Sequence, residues 1–150
     1  MAIELVLYQP DIPQNLGALL RLSACVGAQV HLIEPCGFPL DDKRMRRAGM
    51  DYIDMAQWQK HNGWDAFLSY REERGSRLVL MTTKAAKPYT DHAFEENDLI
   101  MFGRESAGVP DDVHDAADIR LLIPMREGAR SLNLAMSAAM VTGEALRQLT

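Results

Sequence analysis

The fold is decided by Leu99-Ile100-Met101-Phe102-Gly103-Arg104-Glu105-Ser106-Ala107-Gly108-Val109-Pro110. Its apolar run ends abruptly at Gly103, which predicts a buried strand that stops at a loop, and Ile119–Ile123 repeats this pattern before Pro124. Two strands therefore deliver two polar loops to one region. Ligands bind beyond the carboxyl ends of strands in open α/β sheets, and loop glycines let backbone groups approach a ligand closely. We expect a binding site here.

Two common nucleotide sites are disfavoured. Gly103 and Gly108 are spaced superficially like a phosphate-binding loop, but Val109-Pro110 stands where that loop needs a lysine and a hydroxyl residue. The first predicted strand, Ile3–Tyr8, leads into Pro10-Asp11-Ile12-Pro13-Gln14-Asn15 instead of GxGxxG. A Rossmann dinucleotide site is therefore not expected.

Length and composition are those of an ordinary globular protein. A chain of 150 residues, 47% hydrophobic and 25% charged, suffices for one domain with a substantial core. No apolar run reaches membrane-spanning length, and Met1-Ala2-Ile3-Glu4 lacks the basic start of a signal peptide. We expect a cytoplasmic protein with no membrane partner.

Neither a disulfide framework nor a metal site is expected. Cys25 and Cys36 are the only cysteines, they form no CxxC pair, and the four histidines show no ligand spacing. We interpret both thiols as buried or semi-buried.

The net charge of −5 argues at first against a nucleic-acid partner, because phosphate binding relies on Lys and Arg. The distribution matters more than the sum. Four cations fall within residues 43–47, and Arg104, Arg126 and Arg130 lie in or beside the two loops. A local basic site on an acidic body is therefore possible.

Strand and helix patterns alternate along the chain, which predicts an α/β fold with a mostly parallel sheet flanked by helices. The predicted strands are Ile3–Tyr8, Val30–Ile33, Leu78–Thr82, Leu99–Phe102 and Ile119–Ile123, with Tyr52–Ala56 as a short strand or extended piece. The predicted helices are Asn15–Val26, a short helix from Asp41 or Asp42 through Ala48 that ends at Gly49, Trp64–Tyr70 and Leu134–Leu149. Arg71–Ser76 is interpreted as a polar connection without chemical promise.

Four separated motifs resemble those of the knotted methyltransferases of the SPOUT superfamily. FGRESAGVP (102–110), IPM (123–125) and RSLN (130–133) are similar to its second and third motifs, and LYQPDIPQNLGALLRL (7–22) is similar to its first. LIEPCGFPLDDKRMRRAGMDY (32–52) resembles a signature of one branch, the TrmL-like tRNA (cytidine/uridine wobble-position) 2'-O-methyltransferases. The resemblance covers nearly the whole chain and implies a C-terminal trefoil knot.

This resemblance implies methyl transfer from S-adenosylmethionine to the ribose 2'-hydroxyl of the tRNA wobble nucleotide, with S-adenosylhomocysteine as product and no metal. It implies that backbone groups around Met81, Gly103 and Ile123 hold the adenosine edge. The implied cofactor-binding residues are Met81, Thr82, Phe102, Gly103, Glu105, Ile123, Met125, Ser131 and Leu132. From position alone, the apolar ones could equally be core residues at strand ends, and the glycines could be turn residues.

Five positions match residues that the wider 2'-O-methyltransferase group treats as functional: Asn15, Arg21, Glu105, Ser131 and Asn133. We interpret all of them except Ser131 as catalytic. Family mechanisms often make the Arg21 equivalent a base, but a guanidinium stays protonated in proteins. We therefore favour Arg21 as a fork that holds the tRNA phosphate and lowers the pKa of the 2'-hydroxyl. Alternatively, Arg21 is a solvated helix residue with a salt bridge, and Asn15 and Asn133 are helix caps.

The predicted RNA-binding residues are Arg21, Lys43, Arg44, Arg46, Arg47, Arg104 and Arg130. Charge runs are often only solvated faces, and Arg44 and Arg47 could instead pair with Asp41, Asp42 or Asp51. Candidates for stacking an unpaired base are Tyr8, Phe38 and Tyr52. The implied partner is the anticodon stem-loop of tRNA. The protein is expected to be a homodimer, because so small a chain cannot easily enclose a cofactor and also grip that stem-loop.

The sequence departs from the family pattern at two places. Arg104 stands where many relatives carry Pro, and Ala135-Met136 replaces a frequent Ser-Asn pair. Two alternatives stay open: a knotted RNA-binding module without catalysis, and a 2'-O-methyltransferase acting on another RNA site. Retention of Glu105, Ser131 and Asn133 favours an enzyme over the module.

Overall fold

The computed structural model describes residues 3–47, 51–129 and 131–150. They form a six-stranded sheet in the order β3-β2-β1-β5-β4-β6, and its five strand pairings are parallel. The strands are β1 Glu4–Tyr8, β2 Gln29–Ile33, β3 Gln57–His61, β4 Leu78–Met81, β5 Leu99–Phe102 and β6 Ile119–Leu121. The helices are α1 Pro13–Val26, α2 Asp42–Arg47, α3 Trp64–Arg74, α4 Asp111–Ala116 and α5 Leu134–Leu149, with a 3-10 turn at Tyr89–Asp91. The predicted α/β class with a parallel sheet is confirmed.

Helices cover both faces of the sheet. Successive side chains of a strand point to opposite faces, so Leu5 and Leu7 of β1 join the core formed with α1 and α5. Val6 and Tyr8 join a second core that contains Phe67 of α3. The strand β1 is thereby buried on both faces, which explains its nearly continuous apolar sequence.

Local signals set the ends of the two helices nearest the binding region. Pro13 stands at the start of α1, and Gly27 ends it with φ +80°, a left-handed conformation that glycine adopts without strain. Asn133 caps α5, because its side-chain oxygen accepts hydrogen bonds from the backbone N–H groups of Ala135 and Met136. The two helices pack against each other on one face of the sheet.

A buried polar network lies on the other face. Glu4 accepts hydrogen bonds from His31 at 2.8 Å and Arg74 at 2.6 Å, and the rings of His31 and His61 are joined at 2.9 Å. Tyr70 of α3 also reaches the Glu4 carboxylate, at 3.4 Å. The interpretation of Arg71–Ser76 as a bare connection is therefore wrong, because α3 continues to Arg74 and ties itself to the sheet there.

The structure also differs from other expectations about secondary structure. The segment 52–56 forms turns, and the strand follows it at Gln57–His61, where the largely exposed sequence QWQKH hides an edge strand. Helix α4 was not predicted from the sequence, because six residues are too few to show a helical pattern. The strands β4 and β6 end one and two residues earlier than predicted.

Several remaining predictions have different outcomes. Cys25 is exposed, contrary to its interpretation as a buried or semi-buried thiol, and Cys36 is partly buried. The predicted end of the second helix at Ala48 and Gly49 lies outside the described residues. The trefoil knot stays a prediction. Within the described ranges, no helix is long and apolar enough to cross a membrane.

Candidate functional site

The site lies where β4, β5 and β6 end side by side. The register pairs Met81 with Phe102 on one side and with Leu121 on the other, so the loops that follow all three strands emerge together. With the starts of α1 and α5, they line a cavity of about 600 Å³. Ligand cavities commonly have this size and this position in parallel sheets.

The loop after β5, residues 103–108, closes on itself. Arg104 and Gly108 exchange two backbone hydrogen bonds of 2.9 Å. A Cβ added at Gly103 would lie 2.8 Å from the Cα of Gly108, so only glycine permits this approach. Gly108 itself adopts φ +66°, with open space where a Cβ would stand. The closed loop presents Glu105 towards α1.

Glu105 caps the start of α1 from a distant part of the chain. Its carboxylate accepts hydrogen bonds from the backbone N–H groups of Ile12 at 2.8 Å and Asp11 at 3.4 Å. The helix has no cap from its own Ile12 side chain, and negative charge is stabilising at a helix N-terminus. The loop and α1 are therefore held in one arrangement.

A chain of side-chain hydrogen bonds joins the three sequence motifs. The Asn133 amide donates to Asn15 at 3.1 Å, and the Asn15 amide donates to Glu105 at 3.5 Å. Asn15 is 5% exposed, and it lies inside α1 instead of capping it, so the cap interpretation is wrong for Asn15 and correct for Asn133. Three of the four residues predicted to be catalytic are thus in contact.

The structure brings every predicted cofactor-binding residue to the cavity wall. These nine are Met81, Thr82, Phe102, Gly103, Glu105, Ile123, Met125, Ser131 and Leu132. Met81, Phe102 and Ile123 are also buried core residues. These three residues therefore both pack in the core and line the cavity, so the two interpretations do not exclude each other.

Sequence reasoning missed several polar residues of the wall. These are Thr83, Lys84, Asp111, His114 and Ser137. Thr83 and Lys84 directly follow a predicted strand, a signal that could have included them. Asp111 and His114 belong to α4, which was not predicted, so the sequence offered no comparable signal.

Burial raises the pKa of the nearby Cys36 thiol to about 12, and Glu34 and Glu105 add to the effect.

Arg21 does not reach this cavity. It is exposed on α1, and its guanidinium carbon lies 5.1 Å from the centre of the Tyr52 ring. Arg21 therefore does not line the cavity of its own chain, and its role at the tRNA phosphate stays a prediction. Its observed partner is an aromatic face and not the carboxylate that the alternative interpretation required.

The predicted RNA-binding residues are dispersed. Lys43, Arg44, Arg46 and Arg47 are exposed on α2. Arg44 pairs with Asp41 at 3.5 Å, which agrees with the alternative that this arginine forms an ion pair within the protein. Arg46 pairs with Asp54 at 2.6 Å. Arg104 lies 3.8 Å from the Asp11 carboxylate. Arg130 lies outside the described residues.

The aromatic stacking candidates differ in exposure. Tyr8 is buried and packs edge-on against Trp64, with ring centres 6.0 Å apart, so it cannot stack on an RNA base. Phe38 is partly buried against the main core. Tyr52 is partly exposed and covers Arg21.

Comparisons with known proteins show what this chain is similar to. The model of the SpoU rRNA Methylase family matches residues 2–143. A tRNA (cytidine(34)-2'-O)-methyltransferase of Beijerinckia indica is 56% identical, over 97% of this chain and 91% of the relative. A structure concerned with 2-OH methylation of C/U34 on tRNA superposes with a TM-score of 0.91 at 39% identity, covering 99% of this chain and 96% of the other.

A more distant likeness shows the shared fold. The SpoU methyltransferase AviRb of Streptomyces viridochromogenes, solved in complex with AdoMet, has a TM-score of 0.87 at 22% identity. The match covers 97% of this chain and 60% of that one.

Proposed function

Because the chain belongs to the SpoU rRNA methylase family, we propose that it methylates the ribose 2'-hydroxyl of nucleotide 34 in tRNA, with S-adenosylmethionine as methyl donor. The observation that carries this proposal is the meeting of all nine predicted cofactor-binding residues on one cavity, beside the chain Asn133–Asn15–Glu105. The Beijerinckia relative and the C/U34 structure support the substrate. A tRNA substrate is consistent with a cytoplasmic protein.

The cavity suits a nucleoside sulfonium. Phe102, Ile123 and Leu134 supply apolar walls, and Thr82 and Ser131 supply hydroxyl groups. The open space beside Gly108 lets backbone groups approach a ligand. When bound there, S-adenosylmethionine supplies a methyl group that its sulfonium has already activated.

The protein then contributes mainly orientation. Holding two reactants in line can supply about 7–11 kcal/mol of the barrier. The closed loop 103–108 forms one side of the cavity, and Asn133 links the start of α5 to α1 through Asn15. Asn15 and Asn133 line the cavity, and we expect their polar atoms to orient the ribose hydroxyl at its edge.

We place Arg21 at the active site of a partner subunit in a homodimer. Arg21 lies outside its own cavity, and the helices α1 and α5 carry the exposed apolar side chains Val26, Met136 and Met140. Pairing two copies through α1 and α5 would cover those side chains. It would also let Arg21 hold a phosphate of the tRNA bound by the partner and lower the pKa of the 2'-hydroxyl.

The anticodon stem-loop is proposed to lie along the cationic helix α2. Lys43 and Arg47 are exposed there, and each phosphate contact by a cation releases a counterion. Arg104 and Arg130 are the other proposed phosphate contacts. Binding should therefore weaken as salt increases, even though the net charge of the chain is −5.

The decisive experiment incubates the protein with labelled S-adenosylmethionine and unmodified bulk tRNA, with ribosomal RNA as a competing substrate. Mass spectrometry of the digested RNA should find one 2'-O-methylated nucleoside, at position 34 of tRNA. Label on a base, or on ribosomal RNA, would contradict the proposal. Failure to take up S-adenosylmethionine in calorimetry would favour the alternative of an RNA-binding module without catalysis.

A further inference from the structure

We propose that Asp11 is a positioning residue that holds the loop 103–108 in its binding conformation and thereby sets the affinity for the methyl donor. The inference rests on the proposed function, since it concerns the same cavity. Asp11 does not itself line that cavity. Its carboxylate contacts Arg104 and Ser106, which alternate along the loop with the lining residues Gly103, Glu105 and Ala107.

One residue meets three consecutive positions of the loop. The Asp11 carboxylate accepts a short hydrogen bond from the Ser106 hydroxyl and lies 3.8 Å from the Arg104 guanidinium. The backbone N–H of Asp11 donates to Glu105 at 3.4 Å. Hydrogen bonds to a charged group are stronger than those between neutral groups.

Asp11 is itself clamped from behind. Gly37 donates a backbone hydrogen bond to Pro10 at 2.9 Å. A Cβ at Gly37 would lie 2.7 Å from the Cβ of Asp11, so the two segments touch without space between them. The carboxylate is therefore presented to the loop from a fixed backbone, with its side chain only 19% exposed.

The position of Arg104 explains why such a lock is useful. A proline there would restrict the backbone by itself, whereas arginine leaves the loop more freedom before it is ordered. The contacts of Asp11 with Arg104 and Ser106 restore this order through side chains. A loop that is ordered in advance loses less conformational entropy when the ligand binds.

The test is a double-mutant cycle with Asp11→Ala and Ser106→Ala, read by calorimetry of S-adenosylmethionine binding. Each single variant should bind S-adenosylmethionine about three- to tenfold more weakly. The affinity of the double variant should be no lower than that of the weaker-binding single variant, because both substitutions remove the same contact between Asp11 and Ser106. Ser106→Thr keeps the hydroxyl and should retain wild-type affinity. Asp65→Ala, an exposed aspartate on α3, is the matched control.

Hydrogen exchange supplies a readout that does not depend on activity. The amides of residues 103–108 should exchange faster in Asp11→Ala and in Ser106→Ala, while those of β1 and β5 keep their protection. The kcat at saturating S-adenosylmethionine should change less than twofold in Ser106→Ala. The cavity is then occupied, and the bound donor itself holds the loop in place.

Two results would overturn the inference. One is additive loss of affinity in the double variant, and the other is unchanged affinity and unchanged loop exchange in both single variants. A wild-type protein that binds no S-adenosylmethionine would remove the proposed function and this effect on affinity together. Normal wild-type binding with unaffected variants would remove only the role of Asp11.

Discussion

The side-chain amide of Asn133 donates a hydrogen bond of 3.1 Å to the side-chain oxygen of Asn15, a residue 118 positions earlier in the chain. The same Asn133 accepts two backbone hydrogen bonds at the start of α5. It therefore serves both the stability of the helix and the geometry of the cavity, and substitutions can separate these two roles.

Replacing Asn133 with Ala should impair both roles, whereas Ser should impair only one. Loss of the cap costs about 1 kcal/mol, or about 2–4 °C in melting temperature for a domain of this size. Asn133→Ser keeps a capping oxygen and should melt near the wild-type temperature, yet both variants should lose about 10- to 100-fold in turnover because the link to Asn15 is gone. Thermal unfolding and single-turnover kinetics measure the two effects. Full activity in Asn133→Ser would argue that Asn133 is a cap and nothing more.

Gly103→Ala should weaken binding of S-adenosylmethionine. The new methyl group would stand 2.8 Å from the backbone of Gly108, and forcing extra atoms into a packed site costs about 1–3 kcal/mol, roughly a 5- to 150-fold loss of affinity if the loop bears the strain. Gly143→Ala on α5 has open space around the added atom and is the control. Calorimetry should distinguish them, and equal affinities would mean that the loop absorbs the methyl group without moving the cavity wall.

Tyr52→Ala should raise the KM for tRNA about two- to fivefold, the equivalent of about 0.5–1 kcal/mol for an exposed cation–π contact. The ring lies 5.1 Å from Arg21 and limits where the guanidinium can point. Tyr52→Phe keeps the ring and should behave like wild type. A rise in KM for Tyr52→Phe as large as that for Ala would assign the effect to the hydroxyl group and would contradict a role of the ring in orienting Arg21.

Met140→Asp should convert the proposed dimer to monomers and reduce methylation of tRNA at least about tenfold, because an unpaired charge buried at an interface costs several kcal/mol. Met140 is 43% exposed on α5 in the single chain. Met55→Asp, at a residue 69% exposed elsewhere, should leave the dimer intact. Analytical ultracentrifugation measures the masses. Dimers that persist in Met140→Asp would place the subunit contact on another face.

The Glu4–His31–His61 network should make the protein less stable in mild acid. Burial, with a contribution from the charge of His31, lowers the pKa of His61 from 6.5 to about 4. Between these values the unfolded chain binds a proton that the folded chain does not, so stability falls as the pH decreases from 6.5 to 4. The total loss is about 3 kcal/mol, at roughly 1.4 kcal/mol for each pKa unit.

Glu4 acts at lower pH. Burial by itself raises its pKa, but hydrogen bonds from His31 and Arg74 outweigh this and lower the pKa from 4.5 to about 2. The stability from Glu4 is therefore present above pH 4.5 and is lost as the pH decreases towards 2.

Urea unfolding from pH 7.5 to 4.5 tests the role of His61, and the free energy of unfolding should depend less on pH in His61→Asn than in wild type. Parallel curves for the two proteins would place the acid sensitivity elsewhere.

The sequence predicted the parts of the fold whose signal is local. Leu99–Phe102 is apolar throughout because β5 is buried on both faces, and Gly27 marks the end of α1. The edge strand β3 was not predicted because its sequence, QWQKH, shows no apolar pattern. Such a pattern is not required there, since the strand pairs only with β2 and most of its side chains are exposed. The six-residue α4 is too short to show periodicity.

The site was predicted more fully than the distances within it. The resemblance to the family implied the nine cavity residues, and the fold brings them together because the loops that follow adjacent parallel strands emerge side by side. The link from Asp11 to Ser106 joins two loops 95 positions apart, and no local pattern specifies such a contact. The same reason explains Arg21: a position on α1 does not determine which cavity a long side chain reaches.

The insertion of β5 between β1 and β4 has a consequence for synthesis on the ribosome. Until residues 99–102 have emerged, β1 has its partner on one side only, and β4 has no neighbour that links it to the earlier strands. Until then the nascent chain carries two incomplete groups of strands whose unpaired edges are open to association with other chains. A stalled chain that ends before residue 99 should bind chaperones, and one released after α5 should not.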